Sequence, residues 1–222
     1  MMTNLFSTFD PVTSNHLAMN WQSSLMVMTL LPMMFWMTPN RIMTMMNMIL
    51  SKLNMEFKTL LSTKLKGMTL LTISLFMYIL MNNIMGLLPY IFTSSSHMTF
   101  TMAMALPMWV SLMLYGWINK TNEMFAHMIP AGTPMMLMPF MVVIETISNI
   151  IRPGSLAVRL TANMIAGHLL MSLLGNNATS NSNMVPMIMM IQMSLMLFET
   201  AVAVIQAYVF SVLSTLYSSE VM

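Results

Sequence analysis

Glu145, Arg152, Arg159, His168 and Glu199 are ionisable residues set within stretches that are otherwise almost wholly apolar. A charge in the hydrocarbon of a bilayer is expensive, so groups of this kind are rare there and mark a route for ions or protons. They fall in the last two helices that the sequence predicts, and the earlier predicted spans hold none. The second half of the chain therefore handles charge within the membrane, and the first half anchors it.

Glu145, Asn149, Arg152, Arg159 and Asn163 are separated by 4, 3, 7 and 4 residues. That puts them on one stripe of a helix, provided the helix is only mildly disturbed at Pro153. Gln192, Glu199 and Gln206 form a second stripe at intervals of 7 residues. His168 lies 9 residues beyond Arg159, half a turn around the helix, and so meets different surroundings. Two polar stripes on adjacent slanting helices can line aqueous access routes. Arg159 cannot relay a proton, because a guanidinium stays protonated at biological pH. Buried as a fixed positive charge, it needs an anionic partner: Glu145, Glu199 or a carboxylate on another protein. Arg152, beside Pro153, either caps carbonyls freed by the proline or joins the charged path. His168 is either a proton site or a hydrogen-bonded packing residue. His97 and His127 read as loop residues, and no His pair has the spacing that bis-imidazole haem binding requires.

The elements that position these groups follow from composition. Only 6% of the 222 residues are charged, against about a quarter in a soluble domain that must build a solvated surface. No Asp, Glu, Lys or Arg occurs from Met68 to Asn119, or from Pro11 to Asn40, and each stretch can hold a span of about 20 residues. There is no cysteine, which excludes a disulfide framework and thiolate metal sites. The 37 methionines stand chiefly where Leu or Ile would serve as lipid-facing filler, the drift of an organellar genome with an altered code and A/T bias rather than a copper-binding array. No Arg-rich transit peptide precedes Arg41, the first basic residue, so synthesis inside the organelle is expected.

The expected fold is an all-α integral membrane protein, one membrane domain over residues 1–222, with about five crossing helices. Residues 17–37 form the first span, and residues 41–66 an amphipathic surface helix. On its wheel Ile42, Met43, Met46, Ile49, Leu50, Leu53 and Phe57 share one face opposite Arg41, Ser51, Lys52, Asn54 and Glu56. Spans at 68–88 and 98–118 follow, with a polar loop Phe92–His97 between them. A long helix at 134–174, interrupted at 152–154, pairs through the polar turn GNNATSNSN with another at 184–218. These two exceed a perpendicular crossing and are expected to be tilted or to lie partly along the membrane. Arg41, Lys52, Lys58, Lys64, Lys66 and Lys120 all fall in loops on one side, which puts the N-terminus on the outer side and the C-terminus inside.

The run IRPGSLAVRLTANMIAGHLL, Ile151 to Leu170, resembles subunit a of the F-type ATP synthases, the stator channel beside a rotating c-ring. FKTLL at Phe57, NNIMGLLPYIFTSSSH, LYGWIN, PMMLMPFMVVIETISNIIRP and IQAYVFSVLSTLYSSE extend the likeness over nearly the whole chain, closest to arthropod mitochondrial forms. The resemblance implies that Arg159 faces the ring between two half-channels. It implies that His168 and Glu199 share the half-channel open to the intermembrane space, and that Glu145 belongs to the matrix one. Asn163 and Gln206 match polar positions near the arginine, and Glu220 a position at the matrix exit. The implied partners are the c-ring, the peripheral stalk, other membrane-sector subunits and lipid, with no nucleic acid. No metal, cofactor or active site of its own is implied. The implied location is the mitochondrial inner membrane, with the N-terminus in the intermembrane space and the C-terminus in the matrix. Two rival readings are a secondary transporter, which usually carries internal repeats not found here, and a purely structural respiratory-complex subunit, against which Arg159 in its stripe argues.

Overall fold

A computed structural model describes residues 5–14, 17–31, 37–61, 67–129, 132–180 and 184–221. Seven α-helices follow in order: α1 Gln22–Leu30, α2 Arg41–Leu60, α3 Met68–Gly86, α4 Met98–Asn119, α5 Thr121–His127, α6 Met138–Ser180 and α7 Val185–Val221. Short 3-10 turns occupy Leu5–Phe9, Met19–Trp21 and Ser94–Ser96. Among the described residues there is no strand, only an isolated bridge between Ser14 and Leu17. Lipid offers no partner to a free backbone group, so a spanning segment must satisfy its own hydrogen bonds, and helices do so.

Among the described residues four helices are long and apolar enough to cross a membrane: α3, α4, most of α6, and α7. At 1.5 Å per residue, α6 with 43 residues extends about 64 Å and α7 with 37 about 55 Å. A bilayer core is about 30 Å thick, so neither can stand upright within it. The expected first span lies partly outside the described residues. Its described part is a 3-10 turn running into the 9-residue α1. Lys64 and Lys66 also lie outside them, and α2 is described as far as Leu60.

Two local expectations need correction. The helix expected to break at Arg152–Gly154 runs on through Pro153. Proline removes one internal hydrogen bond but need not end a helix whose neighbours hold it on both sides. Leu156, Ala157 and Leu160, directly after it, are buried in the core. The turn GNNATSNSN is shorter than expected, because its first six residues continue α6 to Ser180. The polar loop Phe92–His97 packs inward: Thr93, Ser94, Ser95 and Ser96 are buried. Three of their hydroxyls find protein partners, with Thr93 donating to Ser96 at 3.0 Å, Ser94 to Asn82 at 3.2 Å and Ser96 to the carbonyl of Thr93 at 2.7 Å, whereas the Ser95 hydroxyl is buried without a partner among the described residues.

The core joins Leu53 and Phe57 of α2, Phe76, Met77 and Ile79 of α3, Ala105 of α4, Leu156, Ala157 and Leu160 of α6, and Ala207 and Phe210 of α7. Apart from Phe210 and Val221, the buried positions of α7 are small: Ala203, Ala207, Ser211, Ser214, Thr215 and Ser218. Without a hydrophobic drive between helices in lipid, close approach of small residues supplies the packing. The hydroxyls of Ser211, Ser214 and Ser218 bond back to carbonyls of their own helix at 2.7–2.8 Å, so none is left unpaired. The amphipathic face of α2 is divided. Met43, Met46, Leu50, Leu53 and Phe57 turn toward the protein, whereas Ile42 and Ile49 stay exposed. Glu56 on the polar side accepts a hydrogen bond from Tyr208 of α7 at 3.2 Å. The surface helix is thus fastened to the bundle as well as suited to lipid. The outermost side chains are often methionines: Met26, Met45, Met48, Met187, Met190 and Met193 are each at least 60% exposed, whereas Met77, Met124 and Met164 are buried.

Candidate functional site

Glu145, Arg152, Arg159, His168 and Glu199 all sit on the α6–α7 hairpin. Gly167 lies against Glu199, and Arg152 reaches Glu220, so the two helices run antiparallel. These contacts are 15 residues apart on α6, about 22 Å along its axis.

At one end, His168 opens onto a cleft of about 910 Å³ bounded by Leu5–Phe9 and Asp10, the segment Leu87–Thr93, α6 and α7. Ser172 and Gln192 add polar groups to its wall. The imidazole lies within hydrogen-bonding reach of the Gly86 backbone. Its Nε2 is buried and has no hydrogen-bond partner. The ring of Phe9 meets it edge-on at 6.3 Å. One residue away, a Cβ at Gly167 would collide with Oε1 of Glu199. Glu199 therefore packs directly over the glycine, and both of its carboxylate oxygens are buried without a hydrogen-bond partner. Asn83 of α3 donates to the carbonyl of Ala203, one turn along α7, at 3.4 Å, and its own Oδ1 is likewise unpartnered. Buried polar atoms are nearly always satisfied, so this concentration of orphaned donors and acceptors needs an explanation.

At the other end a second cleft, about 300 Å³, is lined by Glu145, Asn149, Arg152, His127, Tyr217 and Glu220 among others. Arg152 bridges the two acids, to Glu145 at 3.4 Å and Glu220 at 2.5 Å. Its guanidinium also sits 5.0 Å from the centre of the Tyr217 ring, in cation–π range. The alternative of Arg152 as a carbonyl cap gives way to this arrangement. The 145–152 spacing was visible in the sequence, but the partnership with Glu220, 68 residues on, was not.

Arg159 lies between the clefts, 7 residues from Arg152 and 8 from Gly167. It is exposed, as is Asn163 one turn further along. Among the described residues no carboxylate pairs with Arg159: Glu145 is committed to Arg152, and Glu199 is buried against Gly167. The stripe read from the sequence thus splits. Glu145, Asn149 and Arg152 turn into a cleft, and Arg159 and Asn163 look outward among Ser155, Ala162 and Ala166, which are small and also exposed. Gln206, 7 residues beyond Glu199, is half-buried.

Residues 17–219 match the family described as ATP synthase A chain. The chain belongs to that family. The relatives it resembles include proteins named ATP synthase subunit a from Anopheles quadrimaculatus and Locusta migratoria, each 60% identical, and from Drosophila melanogaster, 59% identical. In all three the alignment covers 100% of this chain and 100% of the relative. Membership of the ATP synthase A chain family agrees with an all-α multi-pass membrane protein that carries its charges on a long C-terminal hairpin.

Proposed function

We propose that this chain is the proton-translocating stator subunit of an ATP synthase membrane sector, forming two offset half-channels beside a ring of proteolipid subunits. The observation that carries the reading is an exposed arginine with no carboxylate partner among the described residues, between two polar clefts at opposite ends of one hairpin. A guanidinium facing hydrocarbon alone costs about 3 kcal/mol or more, so that face needs a protein with an acid to meet it. A c-ring carboxylate must be neutral to travel through lipid and ionised to release its proton. Arg159 favours the ionised form, as a nearby opposite charge does. A proton arriving through the larger cleft by way of His168 and Glu199 then neutralises the acid, and rotation carries it round to leave near Glu145, Arg152 and Glu220. Asn163 and Gln206 supply polar contacts on either side of the arginine. Each proton crossing contributes about 2.3 kcal/mol per 100 mV of potential. This chain makes no covalent bond in the process.

In this reading the protein lies in the mitochondrial inner membrane, with the N-terminus toward the intermembrane space and the C-terminus toward the matrix; its insect relatives and its apolar helices support the membrane location. Peripheral-stalk and other membrane-sector subunits would complete the assembly. A cysteine at Ala162 should cross-link to a cysteine beside the ring carboxylate, whereas one at Leu114, exposed on α4 away from the hairpin face, should not. Cross-linking from Leu114 alone, or purification of the assembled chain without a proteolipid ring, would overturn the assignment.

Lys52 and Lys58 of α2 are exposed and line neither polar cleft of the hairpin. Changing both to Gln should weaken assembly or membrane docking by about 1 kcal/mol per charge at most. Proton conduction per assembled complex should stay the same, and a loss there would place α2 on the path.

A further inference from the structure

The segment before α1 is built into the larger cleft. Phe9, at the end of the first 3-10 turn, meets His168 edge-on, and its carbonyl accepts a hydrogen bond from Nε2 of His97 at 2.8 Å. The His97 ring is itself packed between Trp21 and Phe92, at 5.1 and 5.2 Å. The next residue, Asp10, lines the cleft and is the one carboxylate among its lining residues. Its backbone carbonyl accepts from Asn20 at 3.4 Å, and its Oδ1 caps the amide of Val12 at 3.1 Å. Among the described residues the second carboxylate oxygen has no hydrogen-bond or ion-pair partner. Asp10 is exposed, so it meets water at the mouth of a cleft whose inner wall is His168.

We propose that Asp10 is the proton-collecting carboxylate of this cleft, held at its mouth by the clamp of His97 on Phe9. The proposal rests on the function proposed above. The carboxylate takes a proton from water outside and returns it to water within the cleft, ending as it began. An anion at the mouth of a low-dielectric cleft concentrates cations and can raise their arrival rate by about 10-fold or more. The groups around Asp10 are His168 on α6, Gln192 on α7, Tyr90 in the segment after α3 and His97 before α4. None of these groups is a carboxylate that would duplicate the role.

The test uses the assembled complex in liposomes, with conduction driven by a fixed potential while pH on the cleft side is varied. In Asp10→Asn, conduction at about pH 8, where protons are scarce, should fall about 10-fold. At about pH 6, where supply does not limit, it should lie within about twofold of the unsubstituted protein. Asp10→Glu should restore the high-pH rate. Unchanged conduction at high pH, or an equal loss at both pH values in fully assembled complexes, overturns the proposal. Glu199→Gln in parallel separates the two readings. If it conducts normally, the proposed function itself is wrong. If it is silent while Asp10→Asn behaves as the unsubstituted protein, only the role of Asp10 falls.

Discussion

In Arg159→Ala, proton-driven ATP synthesis is expected to fall by about 10²-fold or more, the size of effect seen when one fixed polar group is removed from a preorganised site. The structure sharpens the reason. Arg152 cannot deputise, because its guanidinium is held by Glu145, Glu220 and the Tyr217 ring about two turns away. The exposed hairpin face would then carry no cation to keep a passing carboxylate ionised. Arg159→Lys retains a charge but loses the planar fork that pairs with two carboxylate oxygens at once, so it too should fail in large part. The measurement is ATP synthesis in inverted vesicles, with ring co-purification as the control for assembly. Near-normal synthesis in either variant would refute the role given to this residue.

Gly167→Ala is the second large effect, and a less obvious one. Alanine favours a helix interior by about 1 kcal/mol over glycine, so the change should not weaken α6 on its own account. The added methyl must nevertheless occupy the space of the Glu199 carboxylate. That carboxylate ends a flexible side chain and can swing away, which keeps the fold but moves the proton site. A displacement of about 1 Å at a reacting group can cost about 10²-fold, so conduction should drop by one to two orders of magnitude with thermal stability unchanged or slightly raised. Equal loss of stability and conduction would mean a packing defect, and unaltered conduction would remove Glu199 from the path.

Much of the membrane architecture could be read in the sequence because lipid imposes a blunt rule. Uncharged apolar runs from Met68 and from Met98 become α3 and α4, and the 3.6-residue period from Arg41 becomes α2. The residues of the hairpin stood out for the same reason, since an Arg or Glu there is costly and conspicuous. Facing was harder. The helical wheel gave α2 one apolar face, but packing against α3 and α7 divides it, and a wheel does not know where the neighbours are. The polar character of Ser94–Ser96 was plain in the sequence but its burial was not, because the hydroxyls of Ser94 and Ser96 find their partners only in the folded chain. Proline and glycine at 153–154 looked like a break, and the local penalty was real, but tertiary contacts at Leu156 and Leu160 outweighed it. The Arg152–Glu220 and Phe9–His168 contacts join segments 68 and 159 residues apart, and no periodicity reports such distances.

The methionines on the outside of the bundle have a chemical consequence. A thioether is readily oxidised, and the sulfoxide is a strong dipole where a soft apolar chain had been. Met187, Met190 and Met193, near the start of α7, offer their sulfur to any oxidant dissolved in the surroundings, whereas Met77, Met124 and Met164 are screened. Peroxide would therefore mark the periphery first, degrading the fit between protein and lipid while the interior contacts that hold the hairpin together are still intact. Ageing of this protein under oxidative stress would begin as a loosening of its seat in the bilayer.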